Sequence, residues 1–171
     1  MDRSAFAQSV ETLLSAKNVY IVGVRSSAAI ASYMNFYFRK MLDNVRLVDS
    51  SATSEMLEQM HHVTQGDVVI GISLPRYSGR TVKTLQFAHD CGAKVLVITD
   101  SHDAPAAKSA DYVLVAKSDM VSVVDSLVAP MSLVNALIVA IGRRKEKEMS
   151  KIFEELEQIW EEYEVYERIE A

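Results

Sequence analysis

Two arginines, two serines, a threonine and a glycine share the stretch Ile72-Ser73-Leu74-Pro75-Arg76-Tyr77-Ser78-Gly79-Arg80-Thr81, and that mixture suits one kind of chemistry. A buried apolar run ends here and a helix begins around Gly79. The hydroxyls of Ser73, Ser78 and Thr81, the backbone N–H groups of a helix start and a nearby guanidinium, Arg76 or Arg80, are what a phosphate dianion requires. A second stretch, Val22-Gly23-Val24-Arg25-Ser26-Ser27, has a glycine for a sharp turn and two hydroxyls where the next helix starts. Its free N–H groups also attract anions. It matches a dinucleotide fingerprint loosely, lacking further glycines at the required spacing, although Asp49 follows the next apolar run. Helix capping accounts for Ser26 and Ser27 equally well.

Other chemistries find less support. Thr99-Asp100-Ser101-His102-Asp103 reads as a turn, where Asp and Ser have local backbone partners. No Gly-Lys-Ser or Gly-Lys-Thr occurs, and no Gly-x-Ser-x-Gly elbow. His61 and His62 are consecutive, so on a helix they diverge by about 100° and do not share a metal. Cys91 is the one cysteine, read as a small residue packed at a helix end beside Gly92. No metal and no cofactor is expected.

These loops need a frame. Five short apolar, β-branched runs, at residues 18–22, 45–48, 67–72, 94–98 and 112–115, alternate with helical patterns, the sign of βαβ units and a parallel sheet. Helices are predicted over residues 4–16, 27–42, 54–62 (with Ser54 as its cap), 80–91, 123–141 and 147–169. The stripe of the fifth runs through Val124, Leu127, Met131, Val134, Ile138 and Ile141. That of the sixth runs through Ile152, Leu156, Ile159, Tyr163 and Tyr166.

With 171 residues, 49% of them apolar, one sizeable core can be buried. Apolar runs of about six residues fall far short of the ~20 that a membrane helix needs. The start of the chain reads as a helix rather than a leader, and a cytoplasmic protein is expected. A net charge of −5, with no basic patch beyond Arg143-Arg144-Lys145, argues against direct nucleic-acid binding.

The ordered motifs at 22–27, 72–78 and 98–101, with Asp125-Ser126-Leu127-Val128-Ala129-Pro130, resemble the sugar isomerase (SIS) domain. The Pro-Arg-Tyr-Ser form of the second loop is similar to the effector-sensing half of RpiR-type bacterial transcription regulators. The resemblance covers about residues 17–145. It implies a flavodoxin-like three-layer αβα sandwich around a five-stranded parallel sheet, and residues 1–171 are read as one such domain with helical extensions at both ends. It further implies a sugar phosphate at the strand ends. Ser73, Ser78 and Thr81 would grip the phosphate, Gly79 and Arg80 would offer backbone N–H groups, and Gly23, Ser26 and Ser27 would face the sugar. Arg25 stands where a glycine is frequent and would add a charged contact; Arg76 completes the set.

The function so implied is that of a phosphosugar-binding effector domain controlling carbohydrate-metabolism genes. DNA would be reached only through a separate helix-turn-helix domain, for which the first 17 residues leave no room. The chain is then either the sensing domain of a longer regulator or a stand-alone relative. A homodimer or tetramer is expected. The alternative is an aldose–ketose phosphosugar isomerase with Glu55 as its base.

Overall fold

Period-two alternation within the strands sets the architecture. In the computed structural model, which describes residues 2–121 and 124–166, the strands are β1 (Val19–Gly23), β2 (Val45–Val48), β3 (Val68–Ser73), β4 (Lys94–Thr99) and β5 (Tyr112–Val115). They form one parallel sheet in the order β2-β1-β3-β4-β5. Val19, Ile21, Ile70, Leu96 and Ile98 join one core; Tyr20, Val22, Val69, Val95 and Val97 join the other. Every residue of β1 and β3 is buried, as for strands covered on both faces.

The first core is roofed by α1 (Arg3–Leu14), α2 (Ser27–Met41) and α5 (Val128–Arg144), and the second by α3 (Thr53–Gln59), α4 (Gly79–Asp90) and a short 3-10 turn at Pro105–Ser109. This is the three-layer αβα sandwich that the resemblance implies. A last helix, α6 (Glu146–Glu162), rests on the first layer through Met149. Among the described residues no helix is long and apolar enough to cross a membrane.

Chain direction follows from handedness. From β1 the chain steps to β2 over the α2 face; from β3 it steps the opposite way to β4 over the α4 face. A right-handed crossover permits only this pairing of direction and face. The loops after β1 and β3 therefore part from one another, leaving a crevice between neighbouring strand ends.

Two close approaches fix those ends. A Cβ added at Gly71 would lie 2.4 Å from Leu85 Cδ1, so α4 lies tightly on β3, where fully buried Leu85 contributes about 1.5–3 kcal/mol. At Gly23 it would lie 2.8 Å from both the Ser27 carbonyl and Ala31 Cβ, which seats the start of α2 against the end of β1.

The strands lie within one residue of expectation, and helix details differ. The fifth helix starts at Val128, not 123, because β7 (Val124–Asp125) pairs antiparallel with β6 (Met120–Val121); residue 123 lies outside the described residues. The sixth ends at Glu162. It half-buries Ile152, Leu156 and Trp160, leaving Ile159, Tyr163 and Tyr166 exposed. Ile169 lies outside the described residues. Ser54 does not cap α3: Ala52 holds the cap position, and the Ser50 hydroxyl receives the Ala52 N–H at 3.0 Å. Because α3 stops at Gln59, His61 and His62 sit on a turn with ring centroids 3.6 Å apart, not diverging.

Candidate functional site

The crevice between β1 and β3 holds nearly every residue singled out from the sequence. An inner lobe of about 30 Å³ is lined by Arg25, Ser26, Ser27, Ser73, Arg76, Ser78 and Thr81, with Asp125 at its edge. An outer lobe of about 430 Å³ shares Arg25, Arg76 and Ser78 with it and adds Gly79 and Arg80. Gly23 lines neither lobe; it acts by letting α2 approach.

Both loops turn on arginines in the left-handed region, Arg25 at φ 58° and Arg76 at φ 64°. Such a conformation costs a non-glycine residue about 1–2 kcal/mol. At Arg25 it explains how this chain makes a turn for which glycine is the easier residue, while keeping a cationic side chain on the cleft.

Ser73 and Thr81 are 3% and 0% exposed, and neither Ser73 Oγ nor Thr81 Oγ1 has a hydrogen-bond partner. A buried hydroxyl left unpaired costs about 1–3 kcal/mol, so an acceptor reaching either one would be stabilising. Ser78 holds the N-cap position of α4 without a side-chain capping bond, which leaves its hydroxyl available. The N–H groups of Gly79, Arg80 and Thr81 open the helix and have no carbonyl one turn back. The positive end of the helix dipole adds to their attraction for an anion.

Across the mouth, Arg76 Nη2 lies 3.1 Å from Asp125 Oδ2, and Ser26 Oγ donates to the same oxygen at 3.2 Å. Sequence reasoning placed Asp125 in a family-like motif but not in the site. Its separation from both partners gives no local signal, and the β6–β7 pairing that positions it was not foreseen.

The remaining candidates lie outside the cleft. Glu55 is exposed on the first turn of α3, bonded to the Ser50 hydroxyl, and lines neither lobe. Asp100 receives the Tyr77 hydroxyl at 2.9 Å and the Thr99 hydroxyl at 3.3 Å, bracing the second loop against the end of β4. Burial, and then the bond to Asp100, push the Tyr77 phenol above its ordinary value, so at neutral pH it is a neutral brace. A larger groove of about 960 Å³ lies among α2, α5 and α6, lined by Tyr37, Met41, Ile138 and Phe153 with Glu146 and Glu154. Its apolar, partly acidic lining does not suit a phosphate.

A family model for the SIS domain matches residues 12–140, and the chain belongs to that family. Its relatives include an uncharacterised HTH-type transcriptional regulator of Haemophilus influenzae, 32% identical over 116 residues, which are 67% of this chain and 39% of that protein. The chain thus spans well under half the length of that regulator. The sugar isomerase domain of an RpiR transcription factor from Sphaerobacter thermophilus superposes with a TM-score of 0.86 at 27% identity, covering 92% of this chain and 87% of that one. The Vibrio vulnificus NanR protein, complexed with ManNAc-6P, has the same fold, with a TM-score of 0.80 at 17% identity over 93% of this chain and 61% of its own.

Proposed function

We propose that this chain is an effector-binding domain that takes a sugar phosphate in the β1/β3 crevice and reports its presence to a DNA-binding domain elsewhere in a longer regulator. One observation carries the reading: the orphaned hydroxyls of Ser73 and Thr81, buried beside the open N-terminus of α4. The phosphate takes those hydroxyls, Ser78 and the N–H groups of Gly79 and Arg80, while Arg25, Ser26 and Ser27 meet the sugar. The relatives support it, one being an HTH-type regulator and another a protein complexed with a sugar phosphate.

Arg76 and Asp125 both line the inner lobe and contact each other at 3.1 Å, so a phosphate entering there competes with Asp125 for the Arg76 guanidinium and opens that contact. That difference between empty and filled forms is what a ligand needs in order to bias a regulator between two states. The natural relay is the helical layer, whose exposed Phe36, Val139 and Phe153 suit a homodimer or tetramer. Light scattering giving a monomer at micromolar concentration would remove that part.

A thermal-shift screen with hexose, amino-sugar and pentose phosphates tests the core claim. At least one phosphate ester raises the melting temperature with the logarithm of its concentration, and the unphosphorylated sugar does not. Equal shifts from both would refute phosphate recognition.

A second reading, a phosphosugar isomerase, draws on the carboxylate of Asp125 at the cleft wall. It is better placed than Glu55 to move a proton between sugar carbons. Turnover of an aldose phosphate that Asp125→Asn abolishes would establish the enzyme. Saturable binding without turnover favours the sensor.

A further inference from the structure

The outer lobe carries more positive charge than one phosphate uses. Arg25, Arg76, Arg80 and Lys83 all line it. Among the ion pairs of the described residues, Asp125 is the one carboxylate that meets any of the four, and it meets Arg76. Arg80 gives a hydrogen bond to the Ser51 carbonyl, which anchors its guanidinium but neutralises no charge. Arg25, Arg80 and Lys83 thus converge without a counter-charge. Like charges gathered in a concave surface raise its potential and concentrate anions there.

The lobes share Arg25, Arg76 and Ser78, so they lie side by side. A ligand whose phosphate fills the inner lobe has the outer lobe as its way out. About 430 Å³ is within the range of small-ligand pockets, and Thr53 on its wall supplies a neutral hydroxyl beside the cations.

We propose that the outer lobe is a second anion subsite, and that the effector is a phosphosugar bearing a further negative group, either a carboxylate or a second phosphate. This rests on the phosphosugar reading above and narrows it. Lys83, one turn along α4 from Gly79, separates the two lobes experimentally: like Arg80 it lines the outer one alone, and unlike Arg80 it has no assigned part in holding the phosphate.

The test is calorimetric titration of the chain at fixed ionic strength with glucose 6-phosphate, 6-phosphogluconate and fructose 1,6-bisphosphate. Wild type and Lys83→Gln are compared. The proposal expects a ligand with two separate anionic groups to bind about tenfold tighter than glucose 6-phosphate, which has one, the scale of one well-paired charge. A preference for 6-phosphogluconate assigns the subsite to a carboxylate, and one for the bisphosphate assigns it to phosphate. Lys83→Gln erases that advantage and leaves glucose 6-phosphate binding unchanged. Glucose 6-phosphate binding as tightly as both others overturns the proposal while the phosphosugar reading stands. So does an equal loss for all three ligands in Lys83→Gln, which would assign these cations to the phosphate itself. If none of the three binds, while a singly phosphorylated sugar from the thermal-shift screen does, the second subsite is overturned and the phosphosugar reading stands.

Discussion

Arg76 and Asp125, 49 positions apart, meet at 3.1 Å between Nη2 and Oδ2, and the Ser26 hydroxyl reaches the same carboxylate. One side chain therefore ties the loop after β1 to the loop after β3 across the mouth of the cleft. On the proposed function it also occupies a guanidinium that an arriving phosphate would engage, which would make the contact a competitor for the ligand as much as a brace for the fold.

Replacing Asp125 by asparagine keeps the size and removes the competing charge. Phosphosugar affinity then rises about threefold to tenfold at low salt and less at high salt, since the exposed Arg76 is screened by ions. Calorimetry at two ionic strengths checks this. Weaker binding would mean instead that the carboxylate contacts the sugar.

Ser73→Ala and Thr81→Val separate binding from stability. Each removes a buried hydroxyl that has no partner, so chemical denaturation gives equal or slightly higher stability. Affinity for a sugar phosphate falls about tenfold to a hundredfold, matching hydrogen bonds to a charged group of about 1.5–3 kcal/mol. A drop in stability with unchanged affinity would make these hydroxyls structural.

Gly23→Ala brings a methyl against backbone as well as side chain, at 2.8 Å from the Ser27 carbonyl. Overpacking of this kind costs about 1–3 kcal/mol, and it displaces the start of α2, so ligand affinity falls with stability. By contrast, an added Cβ at Gly79 meets nothing within 4 Å. Gly79→Ala leaves stability within about 0.5 kcal/mol, as surface changes do. Urea melts of the two variants give the comparison.

The Lys94–Asp111 pair, 2.6 Å apart, joins the start of β4 to the approach to β5. Burial raises the Asp111 carboxyl, but the bonds from Lys94 and from the Val95 N–H outweigh it, and the net shift is downward. Lys94 is raised, chiefly by its bond to Asp111. A lowered carboxyl adds stability above its unfolded value and loses it as pH falls through the folded one. A raised lysine adds stability below its unfolded value and loses it as pH rises through the folded one. The pair therefore acts throughout the neutral range. Asp111→Asn costs about 1 kcal/mol at pH 7, a modest sum because Lys94 is exposed. That cost shrinks below the ordinary aspartate range near pH 4, and a cost constant down to pH 3 would contradict the assignment.

Much of this was legible because strands buried on both faces read as continuous β-branched runs, and helix stripes show their own period. That Ser73, Ser78 and Thr81 line one lobe was legible because they are close in sequence. Asp125 escaped the site because nothing local marks it; only tertiary packing brings it to Arg76. The segment before α5 misled because Val124 and its neighbours suit a helix stripe as well as a short hairpin. Lys83 carries no local mark in the sequence, because only the fold brings Arg25 from the loop after β1 to the lobe that Arg80 and Lys83 line on α4. Ser54 failed as a cap because Ser50 already holds that end of α3.

The most direct measurement is a crystal structure of the chain soaked with a sugar phosphate that raises its melting temperature. The account predicts phosphate oxygens within hydrogen-bond distance of Ser73 Oγ, Thr81 Oγ1 and the Gly79 N–H, with the Arg76–Asp125 contact opened. A phosphate found elsewhere, with both hydroxyls still unpaired, would contradict it.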